Sequence, residues 1–307
     1  MGKVWIEAAL NGAWGRALQP TIPIAVEEIV ADGIAAAQAG AAVIHLHAYD
    51  SATGRQKDDW EIYAKIIEGI RARADAIVYP TVPIAGSTYS GEAKTPKARY
   101  AHLEELARRK LVEWGTIDPG SVNFARFDAL ARGEAGFVYS NPDEHFFEGM
   151  RIGAEYAVRP SYAIYEPGCT RIGAAVAAAK PRVPTPVYRF MFAEEFTFGF
   201  PPKPHHLDAH LALLEETAPG APWMVAGLGV DIRPLIEAAV ARGGHLRVGL
   251  EDVPWGSRRT NRDLVEEAVK LVRAAGGEPA SAAEVRAAGE AEDKRLQRGR
   301  HAPRLSR

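Results

Sequence analysis

Apolar and polar positions follow two alternating periods along this chain. Short runs rich in β-branched and aromatic residues read as buried strands. Each is followed by a longer segment with apolar residues at helical spacing. VWIEAAL (4–10) reads as a strand and AVEEIVADGIAAAQAG (25–40) as a helix stopped at Gly40. AVIHLH (42–47) is the next strand. The helix over 58–73 places Ile62, Tyr63, Ile66, Ile67 and Ile70 on one face, with Asp58 read as its cap. AIVYPTV (76–82) precedes a helix over 95–110, with Pro96 in the first turn.

The same alternation continues to the end. Strands are expected at 114–118, 161–166, 187–193, 223–229 and 245–252. Helices are expected at 142–158, 170–180, 204–218, 231–242 and 261–276. Eight strand–helix units in roughly 280 residues match a (β/α)₈ TIM barrel in size. An open doubly wound sheet is the competing architecture, but no G-x-G-x-x-G turn follows the first strand. A long loop, NGAWGRALQPTIPI, stands there instead. The whole chain, 1–307, reads as one barrel domain. An extra C-terminal helix over about 281–297 opens a charged tail (281–307), read as a surface or subunit-contact element.

Composition narrows the function classes. The 307 residues are 47% hydrophobic and 25% charged, enough for a full core. A net charge of −2 argues against nucleic acid as the main partner, while leaving room for a local basic patch on a phosphorylated ligand. The lone cysteine, Cys169, excludes an internal disulfide and thiolate-rich zinc sites, and fits a reducing compartment. No signal peptide, myristoylation motif or membrane-spanning run is visible, so a cytoplasmic protein is expected.

The candidate chemistry begins at AAVIHLHAYD (41–50). His45 and His47 are two apart on a strand and face one side, near its carboxyl end. In a barrel that end is the catalytic face. Two readings fit: core histidines bonded to backbone, or a pair chelating one metal through neutral imidazoles. A catalytic metal needs a third ligand. Glu251 ends the eighth strand of GGHLRVGLED (243–252), and closing the barrel puts that strand and the second on either side of the first. His245 begins the strand and so lies at the opposite end. His206 and His210, beside His205, are at helical i, i+4 spacing but lack the acidic partner of a zincin motif.

Taken together, AALNGA, GAAVIHLHAYD, TIDPGSVNF, WMVAGLG and GGHLRVGLED resemble the β-keto acid cleavage enzyme family, which includes 3-keto-5-aminohexanoate cleavage enzyme. The resemblance covers nearly the whole barrel. It implies an oligomeric (β/α)₈ barrel, commonly a homotetramer, with a divalent metal, typically zinc. It implies a transferase reaction in which a β-keto acid and acetyl-CoA give acetoacetate and a new acyl-CoA. Carried over, the metal ligands fall on His45, His47 and Glu251, and a catalytic pair on Asp252 and Arg247. The substrate carboxylate falls to Thr81 and Thr116.

Two positions depart from the family pattern. Asp118 stands where an uncharged asparagine is usual beside an anion. Trp14 stands where members acting on an amino-bearing substrate carry glutamate. An indole offers an apolar wall, which suits a neutral tail. Its π face suits a quaternary ammonium as second choice, with Glu194 and Glu195 to supply charge. Acetyl-CoA phosphates are expected at Gly227 and Gly229, in the turn after the seventh strand. Arg247 and Asp252 are an odd number apart, so they share a side only if the strand ends or bends between them. A CoA-independent metal-dependent hydrolase or lyase, and a non-catalytic metal- or ligand-binding barrel, are the alternatives.

Overall fold

The computed structural model describes residues 2–83 and 95–300. Its central sheet has eight parallel strands: β1 (Ile6–Ala9), β2 (Val43–Leu46), β3 (Ile77–Pro80), β4 (Trp114–Thr116), β5 (Arg159–Ile164), β6 (Val187–Phe192), β7 (Trp223–Gly227) and β8 (His245–Val248). The hydrogen-bonded order is β3-β2-β1-β8-β7-β6-β5-β4. Alternating with them are helices α1 (Val26–Ala39), α2 (Trp60–Arg71), α3 (Pro96–Arg108), α4 (Asp143–Tyr156), α5 (Pro167–Ala179), α6 (Pro204–Thr217), α7 (Arg233–Ala241) and α8 (Asn261–Ala274). The order curls into a nearly closed TIM barrel. β1 is flanked by β2 and β8, as the placement of Glu251 required.

The seam lies between β3 and β4, and Pro80 removes one of the donors a ladder there would use. Thr81 N–H bonds Leu46 in β2, so the next residue back faces the other way, toward β4. Pro80 has no N–H to give on that side. Its carbonyl instead accepts from the Thr116 hydroxyl at 3.1 Å, which bridges the seam.

Seven of the eight strands are shorter than their apolar runs, because pairing stops before the run leaves the core; β5 keeps six residues but begins two earlier, at Arg159. Asp59, not Asp58, caps α2, accepting from Glu61 N–H at 3.0 Å. Asp58 is drawn off by Gln56 and Tyr63. The final helix, α9 (Ala282–Arg300), is more than a surface tail. Its first turn, with Ala282 and Val285, packs on Trp5, Val43, Ile77, Trp114, Val187 and Met224, and so plugs the amino-terminal end of the barrel. Short hairpins follow β2 (Tyr49–Asp50 with Arg55–Gln56) and β4 (Val122–Phe124 with Phe137–Tyr139). The second hairpin brings Phe124, Phe137 and Tyr139 over the carboxyl end of the barrel, against Phe196 and Phe198. No helix among the described residues is long and apolar enough to cross a membrane.

Candidate functional site

The ends of β1, β2 and β8 meet around three donor groups. Nε2 of His45 lies 3.5 Å from one carboxylate oxygen of Glu251, and Nε2 of His47 lies 3.4 Å from the other. A ligand atom from each of the three can be chosen so that all lie within 4.8 Å of one another, the one such group of three among the described residues. His45 Nδ1, His47 Nε2 and Glu251 Oε2 are buried without a hydrogen-bond partner. Orphaned buried donors and acceptors are costly. A nitrogen–nitrogen–oxygen set with bare lone pairs fits a divalent metal.

Gln56 and Asp58 prepare that set. Nδ1 of His47 faces the carbonyl of Gln56 at 2.8 Å, and the Gln56 amide donates to Asp58 at 2.9 Å. The chain therefore puts the imidazole hydrogen on Nδ1 and leaves Nε2 as a free lone pair toward Glu251. Burial holds the His45 imidazole well below its usual pKa, and so neutral.

Two buried asparagines fasten the strand ends. Asn11 accepts from His47 N–H at 2.9 Å and donates to its carbonyl at 3.0 Å. Asn261 accepts from Leu250 N–H at 2.8 Å and donates to the Leu10 carbonyl at 2.7 Å. Sequence reasoning missed both, although Asn11 lies inside the AALNGA motif. Gly12 has φ +71, and a Cβ there would sit 2.6 Å from Cγ of Glu251. A side chain at that position would displace the ligand.

β8 ends at Val248, and Gly249, at φ +147, turns the chain so close to β1 that a Cβ would meet the Ala9 carbonyl at 2.1 Å. This is the bend that Arg247 and Asp252 needed. Arg247 Nε and Nη2 donate to the two oxygens of Asp252 at 2.8 and 2.9 Å. Nη2 also lies 3.0 Å from Glu251, and Nη1 donates to Glu7 at 3.1 Å. Glu7, fully buried and in register with Arg247, went unrecognised in the sequence because VWIEAAL reads as a plain strand. Burial pushes the Asp252 carboxyl up to about 6, with Arg247 pulling the other way. Burial also opposes the charge on Glu251, but Arg247 and the two histidines hold it well below the usual carboxylate range. The buried set carries four carboxylates, Glu7, Asp118, Glu251 and Asp252, against the guanidiniums of Arg189 and Arg247. The formal sum is −2, which one dication neutralises.

His45, His47, Glu251, Thr81, Thr116 and Trp14 line one cavity of about 60 Å³, together with Asp118, Arg189 and aromatic residues from the β4 hairpin. Asp118 accepts from Tyr139 OH and from Ala163 N–H, each at 2.7 Å. Trp14 donates its indole N–H to the Glu251 carbonyl at 3.2 Å and meets Trp255 edge-on. Glu194 and Glu195 do not line this cavity, and Glu195 pairs with Arg126 at 2.5 Å.

A second cavity, about 360 Å³, lies between α7 and α8 and shares Arg247 with the first. Its walls include Ile232, Ile236, Val248, Leu264 and Ala268, with Asp252 buried, Arg259 half-buried and Arg233 exposed. Neither Gly227 nor Gly229 lines either cavity; Val230 and Asp231, just beyond them, line the second. His245 is structural: its Nδ1 accepts from Trp5 N–H at 3.2 Å and its ring stacks on Trp5. His210 is buried against Phe190 and Phe200, away from any metal set.

The sequence profile of one family, beta-keto acid cleavage enzyme, matches residues 3–289. The chain belongs to that family. Among curated relatives, 3-keto-5-aminohexanoate cleavage enzyme of Fusobacterium nucleatum is 30% identical over 304 residues, covering 93% of this chain and 97% of the relative. The 3-dehydrocarnitine:acetyl-CoA trimethylamine transferase of Rhizobium meliloti is 28% identical, covering 92% and 95%. Among solved structures, the apo form of ObcA superposes with a TM-score of 0.70 at 19% identity, over 88% of this chain and 66% of that longer one. This last likeness speaks for the fold alone. The two curated relatives act on different substrates by name, so membership of the beta-keto acid cleavage enzyme family leaves the substrate to be read from the cavity.

Proposed function

We propose that this chain condenses a β-keto acid with acetyl-CoA to give acetoacetate and a new acyl-CoA, using one zinc held by His45, His47 and Glu251. The observation that carries the proposal is the buried triad of unpartnered donors beside the Arg247–Asp252 fork, in a chain of this family. A dication at the triad would polarise the keto group and steady the negative charge of the deprotonated substrate.

The chain's own residues do the rest. The Thr81 hydroxyl, and the Thr116 hydroxyl once it gives up its bond to the Pro80 carbonyl, orient the carboxylate of the bound β-keto acid. Asp252, held by Arg247 on the side of the second cavity, is the base that takes the proton from the carbon between the two carbonyls where the two cavities meet. Arg247 borders both cavities, so the two substrates meet beside it. The pantetheine arm of acetyl-CoA enters the apolar cavity between α7 and α8, and its phosphates lie at the solvent side, with Arg233, Arg259 and the turn after Gly227 and Gly229. A cavity of about 60 Å³ holds a short β-keto acid. Its Trp14 and aromatic walls favour a neutral tail, and the diversion of Glu195 to Arg126 removes the charge that a cationic tail would want.

The test is to mix metal-loaded protein with short neutral β-keto acids and acetyl-CoA. Acetoacetate should accumulate only when both substrates are present. Loss of β-keto acid at the same rate without acetyl-CoA would refute the reading.

A further inference from the structure

Arg189 is a buried cation whose neighbours leave it underused. It stands on β6, with a side chain 3% exposed, and lines the cavity that also holds His45, His47 and Glu251. Its Nη2 reaches the Ser161 carbonyl only at 3.4 Å and lies 3.7 Å from Asp118 Oδ1. Its Nε is buried without a hydrogen-bond partner. Arg247 is the opposite case, its donors taken by Asp252 and Glu7 at 2.8 to 3.1 Å.

The buried carboxylates of Glu7 and Asp118 both offset this charge, and Asp118 shows how the cation is tolerated with its donors free. Both of its oxygens are already engaged, one by Tyr139 OH and one by Ala163 N–H. It therefore offsets the charge of Arg189 at a distance without occupying the guanidinium donors. A planar guanidinium with donors to spare is suited to a carboxylate.

We propose that Arg189 binds the carboxylate of the β-keto acid, with Asp118 as its counter-charge. This assignment rests on the reading of the substrate given above. It accounts for a carboxylate at position 118 in an anion-binding cavity. Asp118 does not touch the substrate; it keeps a buried arginine in place for it. Arg189 is then the charged contact for the anion, while Thr81 and Thr116 orient it.

The experiment measures calorimetric binding of acetoacetate, without acetyl-CoA, to zinc-loaded wild type, Arg189→Met, Asp118→Asn and the Arg189→Met/Asp118→Asn pair. Pentane-2,4-dione, which keeps the two ketones but lacks the carboxylate, is the control ligand. Arg189→Met should weaken acetoacetate at least tenfold and the dione less than threefold. The double variant removes both charges. It should regain the thermal stability lost in Arg189→Met but not the affinity for acetoacetate. Recovery of acetoacetate binding to within twofold of wild type in the double variant would reduce Arg189 to a neutraliser of Asp118 and overturn the proposal. Equal loss of both ligands in Arg189→Met, or no binding of acetoacetate by wild type, would overturn it as well. A wild type that binds acetoacetate through Arg189 yet forms no acyl-CoA from any β-keto acid would refute the proposed reaction and leave this assignment standing.

Discussion

Arg247 grips Asp252 in a two-pronged contact, Nε to Oδ2 at 2.8 Å and Nη2 to Oδ1 at 2.9 Å, at a point where both side chains are buried. The same guanidinium also touches Glu251 and Glu7. One cation thus ties a metal-ligand candidate to a base candidate and fixes the angle between them.

That arrangement separates binding from turnover. Asp252→Asn keeps the shape and a hydrogen bond to Arg247 but loses the base. Turnover should fall about 10²–10⁴-fold, while metal content and melting temperature stay close to wild type. Near-normal turnover in this variant would remove Asp252 from the reaction.

Metal content tests the triad directly. His45→Ala and His47→Ala should each lose most of the bound divalent ion on dialysis. Gln56→Leu leaves all three ligands but frees His47 Nδ1, and should weaken metal binding about 10- to 100-fold. Full retention in both alanine variants would dismiss the assignment, and unchanged affinity in Gln56→Leu would dismiss the tautomer argument.

These side chains were unequally visible in the sequence. His45 and His47 are adjacent partners on one strand face, so period-2 alternation exposes them. Glu251 follows once the barrel closes with β8 beside β1. Glu7, Arg189, Asn11 and Asn261 are different. Each is a single polar residue in an ordinary-looking strand, loop or helix start, and acquires meaning only from contacts across the barrel. Arg247 with Glu7 spans 240 positions, and Asn261 with Leu10 spans 251. The hairpin after β4 was equally hidden, because its short strands pair with each other and roof the cavity rather than joining the barrel wall. Asp58 and Asp59 show the limit at its narrowest: either can cap α2 by sequence, and Gln56 and Tyr63 decide which one does.

Trp14 should decide the tail. It borders the cavity and holds the Glu251 carbonyl, so its replacement touches both selectivity and rate. Wild type should prefer β-keto acids with neutral tails over 3-keto-5-aminohexanoate in kcat/KM. Trp14→Glu should shift that ratio toward the amine by tenfold or more, with a lower kcat as the brace on Glu251 is lost. A wild type that works best on the amino substrate would contradict the account of this wall.

The far end of the barrel carries a pH dependence of its own. Burial raises the Glu292 carboxyl on α9 to about 7, with nearby Arg159 opposing and Asp293 adding to the rise. A carboxyl with a folded pKa above its unfolded value favours the folded state in its protonated form. Its stabilising contribution is full below about pH 4.5 and is lost as pH rises through about 7. Relative to Glu292→Gln, wild type should therefore lose about 2 kcal/mol between pH 5 and pH 8. Denaturant unfolding at the two pH values checks this. An unchanged difference between the proteins would show that Glu292 titrates normally.

The central claim is the coupling of β-keto acid cleavage to acyl transfer, and acyl-CoA mass analysis addresses it most directly. Metal-loaded protein is incubated with acetyl-CoA and a panel of short neutral β-keto acids. The account predicts a new CoA thioester whose mass tracks the tail of each acid, formed together with acetoacetate and, in Asp252→Asn, formed more slowly by about the 10²–10⁴-fold loss of a general base. Consumption of the acids with no new thioester, or thioester formation undiminished in Asp252→Asn, would contradict it.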